Sequence, residues 1–457
     1  MGAKNYMSRF NLLHIQNNWF IKRLPVIISI VIDILIIYFV FSFFNNFISK
    51  IYFWNNIFQP IVWCLFSYVV GRYIRRKISL NSLEFLNYLK KTFIVCCIII
   101  ILNLLCLNLL NYLKIDQIDF FEFPLQELIL VSFLSLIIQF FKELLFNKII
   151  YDKLIYLYFG NSSELEELKS LCKVNDLKNN FFEIYSPEIK EFSKYSYILI
   201  PDSNIKNLNK VYSLIDINKY NIPILTKTEW CAAKLEKIPS EYLLKDEIEV
   251  SAILRSTKNR SFQLKRTFDI FISIFLLLST FPIVILTIFL IFIEDGFPIF
   301  YIQKRHGIDN KIIKLPKFRS MLKTAEINGP TWAKKDDIRV TKIGKYIRLL
   351  RIDEIPQLLL VLKGEMSLVG PRPERPEIDE FLKEKIHLYD LRYKVLPGIS
   401  GWAQVNYPYG SSTYDSKEKL SYDLFYIKNQ SFLLDLLIIL KTVRRVLTAS
   451  GANPNTK

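Results

Sequence analysis

Residues 265–293 read KRTFDIFISIFLLLSTFPIVILTIFLIFI, and the way this stretch sits in a bilayer decides the fold of everything that follows it. The run is longer than the roughly 20 apolar residues a helix needs to cross a bilayer. Pro282 stands near its middle, where a proline removes a backbone hydrogen bond and its ring clashes with the preceding turn. Lys265 and Arg266 introduce the run, and Lys304 and Arg305 follow it, so both flanks are basic. Basic flanks stay on the cytoplasmic side. A full crossing would carry one of them, with the whole basic carboxy-terminal region, to the outside. The expected geometry is a re-entrant helix over about 266–293 that enters one leaflet, breaks at Pro282 and returns; an ordinary kinked span is the alternative.

Working outward, four more apolar runs occupy residues 24–47, 51–73, 92–113 and 128–145. They predict a bundle of four transmembrane helices in residues 1–150. Basic residues lie before the first (Lys22, Arg23), between the second and third (Arg72, Arg75, Arg76, Lys77, Lys90, Lys91) and at the end of the fourth (Lys142, Lys148). That pattern puts both termini in the cytoplasm and the acidic loop with Asp116, Asp119 and Glu122 outside. The first run has no small-residue cleavage site, so no cleavable signal peptide is expected. Asp33 lies inside it and is a functional candidate by depth, with simple pairing or hydration the plainer alternative. The net charge of +17 is placed largely at these flanks, which argues against a nucleic-acid partner. Four of the six cysteines (Cys64, Cys96, Cys97, Cys106) fall in the apolar runs, no CxxC pair exists, and there are three histidines. A zinc site is not expected, and any catalytic metal should be a hard ion on oxygen ligands.

At 457 residues the chain should build two or three folding units. Residues 151–255 turn soluble and read as a small Rossmann-like α/β module, with strands at 154–159, 197–200 and 222–225 and a helix at 163–172. The first strand ends in one glycine, Gly160, where a dinucleotide turn needs three. The module is therefore expected to be non-catalytic, with a regulatory or oligomer-forming role. A linker is expected at 256–260, a mainly helical catalytic domain at 261–450 and a frayed tail at 451–457.

The phosphate-handling residues crowd into the last region. Gln303, Arg305, Lys317, Arg319, Arg348, Arg351, Arg372 and Arg375 supply donors and positive charge, and arginine's planar fork matches phosphate oxygens in pairs. Gly307, Gly370, Pro371, Pro373 and Pro376 fix non-helical backbone around them. Residues 351–357 read RIDEIPQ, and Pro356 predicts a helix start just after Asp353 and Glu354. A helix start attracts anions. Taken alone, an Asp-Glu pair there is more often a cap than a catalytic pair.

The ordered motifs of this region reverse that reading. They are KRTFD at 265–269, GFP at 296–298 with Gln303, Arg305 and Gly307, KFRSM at 317–321, DEIPQ at 353–357, SLVGPRPE at 367–374 and PGISGWAQVN at 397–406. From Lys265 to about Leu447 the chain resembles the catalytic domain of the bacterial polyprenyl-phosphate sugar-1-phosphate transferases, the monotopic phosphoglycosyl transferases. The preceding spans and α/β module are similar to the large members of that family. The resemblance implies that Asp353 is the nucleophile, Glu354 a magnesium ligand, and Arg372, Arg348, Lys317 and Arg319, with Arg375, Gln303 and Arg305, the phosphate-binding set. It implies a UDP-sugar donor, a polyprenyl (undecaprenyl) phosphate acceptor, a covalent aspartyl-phosphosugar intermediate and release of UMP. The setting would be the cytoplasmic face of the bacterial inner membrane, at the first membrane step of exopolysaccharide or O-antigen synthesis, by a homodimer. A glycosyltransferase releasing UDP and a non-catalytic scaffold are the alternatives. Two departures stand out: Phe281-Pro282, preceded by Ser279 and Thr280, replaces the family's Ser-Pro break, and Arg351 replaces a small polar residue. The segment 433–446 is apolar on one face and basic towards its end, which fits either a helix lying in the membrane interface or a core helix.

Overall fold

The computed structural model describes residues 2–45, 53–73, 82–112, 125–150, 154–175, 177, 180–189, 191–202, 222–243, 261–323, 337–408, 410 and 412–447. The expected acidic loop, linker and tail lie outside these residues. The chain separates into two compact units, Met1–Leu154 and Ile155–Lys457.

The first unit is helical: α1 (Gly2–Asn45), α2 (Phe53–Val70), α3 (Ser82–Tyr112) and α4 (Leu125–Ile150). Arg23–Phe44, Phe85–Leu105 and Leu125–Glu143 are each long and apolar enough to cross a membrane, and Gln59–Val70 of α2 is a further apolar stretch among the described residues. Ile37, Val40, Trp63, Val95 and Leu128 pack the centre, while Leu35, Phe39, Phe93 and Phe133 point outward. Helices apolar on every side suit a hydrocarbon solvent. Asp33 is fully buried among them. Its Oδ2 accepts from Trp63 Nε1 at 2.8 Å, Tyr73 OH at 2.6 Å and Arg72 Nη1 at 3.4 Å. Its Oδ1 accepts from Ser135 Oγ at 2.6 Å and Gln139 Nε2 at 2.9 Å. Arg72 also donates to Ser67 Oγ and Ser135 Oγ and lies over the Trp63 ring. Both Asp33 oxygens are thus filled by protein donors, which favours the pairing alternative.

The second unit begins with β1 (Leu154–Tyr158), α5 (Ser162–Val174), β2 (Asn180–Ile184), β3 (Tyr197–Ile200), β4 (Ile224–Thr226) and α6 (Lys227–Leu235). The sheet order is β2-β1-β3-β4, with β1–β3 and β3–β4 parallel in the registers Tyr156↔Tyr197 and Ile198↔Ile224. The turn after β1 is closed to a pyrophosphate. A Cβ on Gly160 would lie 2.5 Å from the Tyr158 ring, and the Glu164 carboxylate accepts from Tyr158 OH at 2.6 Å and from the Asn161 N–H at 3.4 Å. The start of α5, where a phosphate would bind, already holds an anion. Downstream of α6 the backbone joins the rest of the unit: Trp402 Nε1 donates to the Glu236 carbonyl at 3.0 Å, and Lys237 pairs with Glu418 at 2.7 Å.

The quoted stretch forms α7 (Ser261–Asp295), 35 residues with Pro282 inside a single helix rather than a gap between two. Ser279 and Thr280 hydroxyls both donate to the Leu276 carbonyl, two residues before Leu278, whose carbonyl Pro282 leaves without its amide partner. Phe271, Phe275, Leu278, Phe281 and Phe289 are exposed along it. Both ends are anchored. Lys265 is buried and donates to the Val369 carbonyl at 2.9 Å and to Asp435 at 2.7 Å, while Arg266 caps the last carbonyls of α9 (Leu358–Lys363) at Val361 and Leu362. At the far end Glu294 accepts from the Lys342 and Ile343 amides that open α8 (Lys342–Leu349), and Arg319 grips Asp295 and the Gly296 carbonyl.

The remaining elements are the antiparallel hairpin β5 (Phe300–His306) and β6 (Ile312–Phe318), the parallel pair β7 (Ser367–Val369) and β8 (Gly398–Ser400), and the helices α10 (Pro376–Lys385), α11 (Trp402–Asn406), α12 (Thr413–Lys428) and α13 (Phe432–Leu447). Ile291, Ile299, Phe318 and Ile347 form the core where α7, the hairpin and α8 meet. On α13, Leu434, Asp435 and Ile438 are buried, while Leu433, Leu436, Val443 and Leu447 are exposed on other faces.

Candidate active site

The chain leaves α8 through Arg351 in the left-handed region, φ 59°, a conformation that costs a residue with a Cβ about 1 kcal/mol. A 3₁₀ turn over Ile352–Gln357 follows, with the Glu354 amide donating to the Arg351 carbonyl at 3.2 Å. The sequence reading placed a helix start after the carboxylates. Instead Asp353 and Glu354 lie inside the 3₁₀ turn, Pro356 is part of it, and α9 begins at Leu358 with six residues. Positive charge at the carboxylates therefore comes from side chains rather than from a helix end.

Asp353 and Glu354 are both 7% exposed, yet they are held in opposite ways. Glu354 Oε1 accepts from Arg372 Nη2 at 2.6 Å and faces Lys317 Nζ at 3.5 Å and Arg351 Nη1 at 3.8 Å. Burial alone would raise its pKa, but Arg372, Lys317 and Arg351 together hold it well below the usual carboxylate range. Asp353 is pushed the other way, by burial first and by the Glu354 charge beside it, against smaller opposing pulls from Lys317, Arg351 and Arg348. Its Oδ1 is buried without a hydrogen-bond partner. A buried carboxylate oxygen without a donor, next to a partner locked as an anion, is a group waiting for a ligand or a reacting atom. Burial also lowers the pKa of Lys317.

The other expected phosphate binders fall into four places. Arg348 is half-buried and reaches Asp353 through its field. Arg305 donates to Gln303 Oε1 at 2.6 and 2.9 Å, to the Pro373 carbonyl at 3.2 Å and to Glu374 at 3.2 Å, so it braces the loop that presents Arg372. Arg319 lies at the end of α7, as described above. Arg375 precedes α10, where Pro376 takes the first helical position. Sequence reasoning missed Arg392, whose Nη2 donates to the Arg372 carbonyl at 2.8 Å and which pairs with buried Asp423 at 3.2 Å. It also missed Arg445 of α13, which lines a cavity beside Glu354. Arg445 is legible in sequence only as part of the basic end of 433–446, and nothing local marks Arg392, because both reach the site from segments far along the chain.

Among the described residues no group of three or more His, Cys, Asp or Glu side chains is placed to hold a metal. Magnesium does not need such a group, since it binds through one or two carboxylates, water and substrate phosphates. The donor-free Asp353 Oδ1 and the adjacent Glu354 suit that donor set.

The sequence profile of the bacterial sugar transferase family matches residues 260–449. A UDP-N-acetylgalactosamine-undecaprenyl-phosphate N-acetylgalactosaminephosphotransferase of Aeromonas hydrophila is 45% identical over 190 residues, 41% of this chain and 45% of that protein. A UDP-glucose:undecaprenyl-phosphate glucose-1-phosphate transferase of Escherichia coli is 40% identical over 39% of each chain. The match thus spans less than half the length of these two relatives. An uncharacterized sugar transferase of Bacillus subtilis, EpsL, is 43% identical over 192 residues that make up 89% of its length. Nearly all of that smaller protein is thus contained in the region that carries the paired carboxylates, and the chain belongs to the bacterial sugar transferase family.

Proposed function

We propose that the chain transfers a sugar 1-phosphate from a UDP-sugar to undecaprenyl phosphate at the cytoplasmic face of the inner membrane. The observation that carries this reading is the split pair: Glu354 fixed as an anion by Arg372 and Lys317, and Asp353 left with an unpartnered oxygen. The names of the Aeromonas and Escherichia relatives support the donor and acceptor classes. They differ in the sugar, which stays open for this chain.

In the first step the Asp353 carboxylate attacks the sugar-bearing phosphorus of the donor. A new oxygen–phosphorus bond forms, the bond to the bridging oxygen breaks, and UMP leaves with the electron pair. In the second step an oxygen of undecaprenyl phosphate attacks the same phosphorus, the bond to Asp353 breaks, and the free carboxylate returns with undecaprenyl-diphosphate-sugar as product. Arg372 and Lys317 neutralise charge on the diphosphate as it redistributes. Magnesium held by Glu354 and Asp353 would supply further neutralisation of phosphate oxygens. Arg305 and Arg392 keep the Arg372 loop in place so that no reorganisation is needed at the moment of reaction.

The membrane geometry belongs to the same proposal: α7 is re-entrant and α13 lies in the interface. Support comes from the two ends of α7. At 1.5 Å per residue a straight 35-residue helix is about 50 Å long, well beyond a hydrocarbon core of about 30 Å. Yet Lys265 and Arg266 at one end, and Glu294 and Asp295 at the other, bond to elements of one compact unit. A crossing would separate those anchorages by the bilayer.

Membranes containing the full chain, supplied with undecaprenyl phosphate and a panel of UDP-sugars, test the reaction. UMP and a lipid diphosphate sugar are expected. Release of UDP would instead identify a glycosyltransferase, and no turnover with any sugar would favour a scaffold.

A further inference from the structure

A cavity of about 210 Å³ opens beside Glu354. Its walls are largely apolar and include Leu349, Leu358, Ile399 and Val446, together with Leu276 from the middle of the membrane helix α7. Two guanidinium groups line it, Arg351 from the turn before the carboxylates and Arg445 from α13. One carboxylate, Glu354, lines it with them. Arg351 approaches Glu354 only to 3.8 Å, and that carboxylate is already taken by Arg372 at 2.6 Å. Arg445 donates to the Gln404 carbonyl, and among the described residues it pairs with no carboxylate. Burial first, and then the like charge of Arg351, lower the Arg445 pKa. A pocket that sets two guanidinium groups against one carboxylate, itself bonded to Arg372, keeps an excess of positive charge and is complementary to an anion. Walls of leucine, isoleucine and valine, one of them contributed by a helix in the bilayer, are complementary to a hydrocarbon chain. The ligand that satisfies both is a phosphate ester of a long-chain lipid.

We infer that this cavity seats the acceptor of the proposed reaction, with the phosphate of the polyprenyl phosphate between Arg351 and Arg445 and its first isoprene units along Leu276, Leu349 and Val446. Glu354 lines the cavity with Arg351 and Arg445, whereas its partners Arg372 and Lys317 are not in the lining, so donor diphosphate and lipid phosphate meet the carboxylates through different cations: Arg372 and Lys317 for the donor, Arg351 and Arg445 for the lipid. Such a division suits a two-step displacement, in which the two phosphates visit the same phosphorus in turn. The assignment rests on the reading of the chain as a sugar-phosphate transferase acting on a lipid.

The test uses the full-length protein in detergent micelles and two readouts, equilibrium binding of radiolabelled undecaprenyl phosphate and initial rates with a UDP-sugar. For Arg445→Ala, binding of the lipid weakens and its KM rises about tenfold, the size expected for one charge-assisted contact, while the donor KM moves less than twofold. Arg445→Lys lies between, and Val446→Phe, which fills the cavity and keeps both charges, also raises the lipid KM. Inorganic phosphate and phosphatidic acid serve as competitors: the undecaprenyl compound is displaced weakly by phosphatidic acid and not by millimolar phosphate. Lipid binding and lipid KM unchanged in both Arg445→Ala and Val446→Phe would overturn the assignment while leaving the transferase reading intact. An equal rise in donor KM would make Arg445 a donor or structural residue, and displacement by phosphate alone would make the cavity a simple anion site. If the wild type binds the lipid through Arg445 but turns over no UDP-sugar, the reaction fails and the lipid site stands.

Discussion

Two buried aspartates divide this molecule between them. Asp33 in the helical bundle and Asp353 in the second unit are each packed out of water with an arginine nearby, yet they are finished differently. Asp33 receives five donors spread over both oxygens, from Trp63, Arg72, Tyr73, Ser135 and Gln139. Asp353 keeps one oxygen with no donor at all, and its arginine is given to Glu354 instead. Burial of a carboxylate is costly in both places. In the bundle the cost is offset locally by hydrogen bonds, which makes Asp33 a clamp between helices. In the second unit it is left open, to be met by whatever enters. The contrast teaches that depth and charge do not mark a functional carboxylate; incomplete satisfaction does.

Breaking the open site should have the largest effect. Asp353→Asn is expected to lower turnover by at least about 10³-fold, as loss of a nucleophile does, while thermal unfolding in detergent stays close to wild type. Breaking the closed site should do the reverse. Asp33→Leu strands Arg72 among apolar helices and is expected to cost the bundle about 3 kcal/mol, read as a lower midpoint for loss of folded protein on heating. The double change Asp33→Leu with Arg72→Met should recover much of that loss, and turnover per folded molecule should be unchanged in both.

A third carboxylate sharpens the comparison because it is intermediate. Asp423 faces Arg392 at 3.2 Å and is pushed up to about 6 by burial, against the pull of Arg392. Its folded pKa exceeds the unfolded value of about 3.9, so the folded state holds the proton more tightly. The stability it contributes is present in full below about pH 4 and is lost as pH rises through about 6. Wild type should therefore gain up to about 3 kcal/mol on the Asp423→Asn variant as pH falls across that window. Denaturant midpoints of the two proteins at pH 7 and pH 4.5 check the sign. The smallest effect is expected at the start of α5, where Glu164→Gln should cost about 0.5–1 kcal/mol and leave turnover untouched, since the carboxylate there caps a helix and serves no substrate.

Much of this was legible in the sequence, for reasons that particular residues explain. Long apolar runs with basic flanks announce themselves through composition, so the helical bundle and α7 were readable. Asp353, Glu354 and Arg372 were readable because they sit in short motifs with glycine and proline. The 3₁₀ form of Ile352–Gln357 was not, because Pro356 fits the first turn of an α-helix and the interior of a 3₁₀ turn equally well. Arg305 and Arg319 read as phosphate ligands by residue type, whereas their bonds to Glu374, Pro373 and Asp295 depend on tertiary packing that no local pattern encodes. Arg392 and Arg445 were missed for the same reason.

The central claim is that Asp353 becomes covalently attached to the sugar phosphate before any lipid is involved. The most direct measurement incubates the full-length protein, without undecaprenyl phosphate, with its UDP-sugar labelled in the phosphate next to the sugar, and then locates the label by peptide mass spectrometry. One equivalent of UMP per site and label on the peptide containing Asp353 is the predicted result. Label-free protein that nevertheless turns over when lipid is added, or release of UDP in place of UMP, would contradict it.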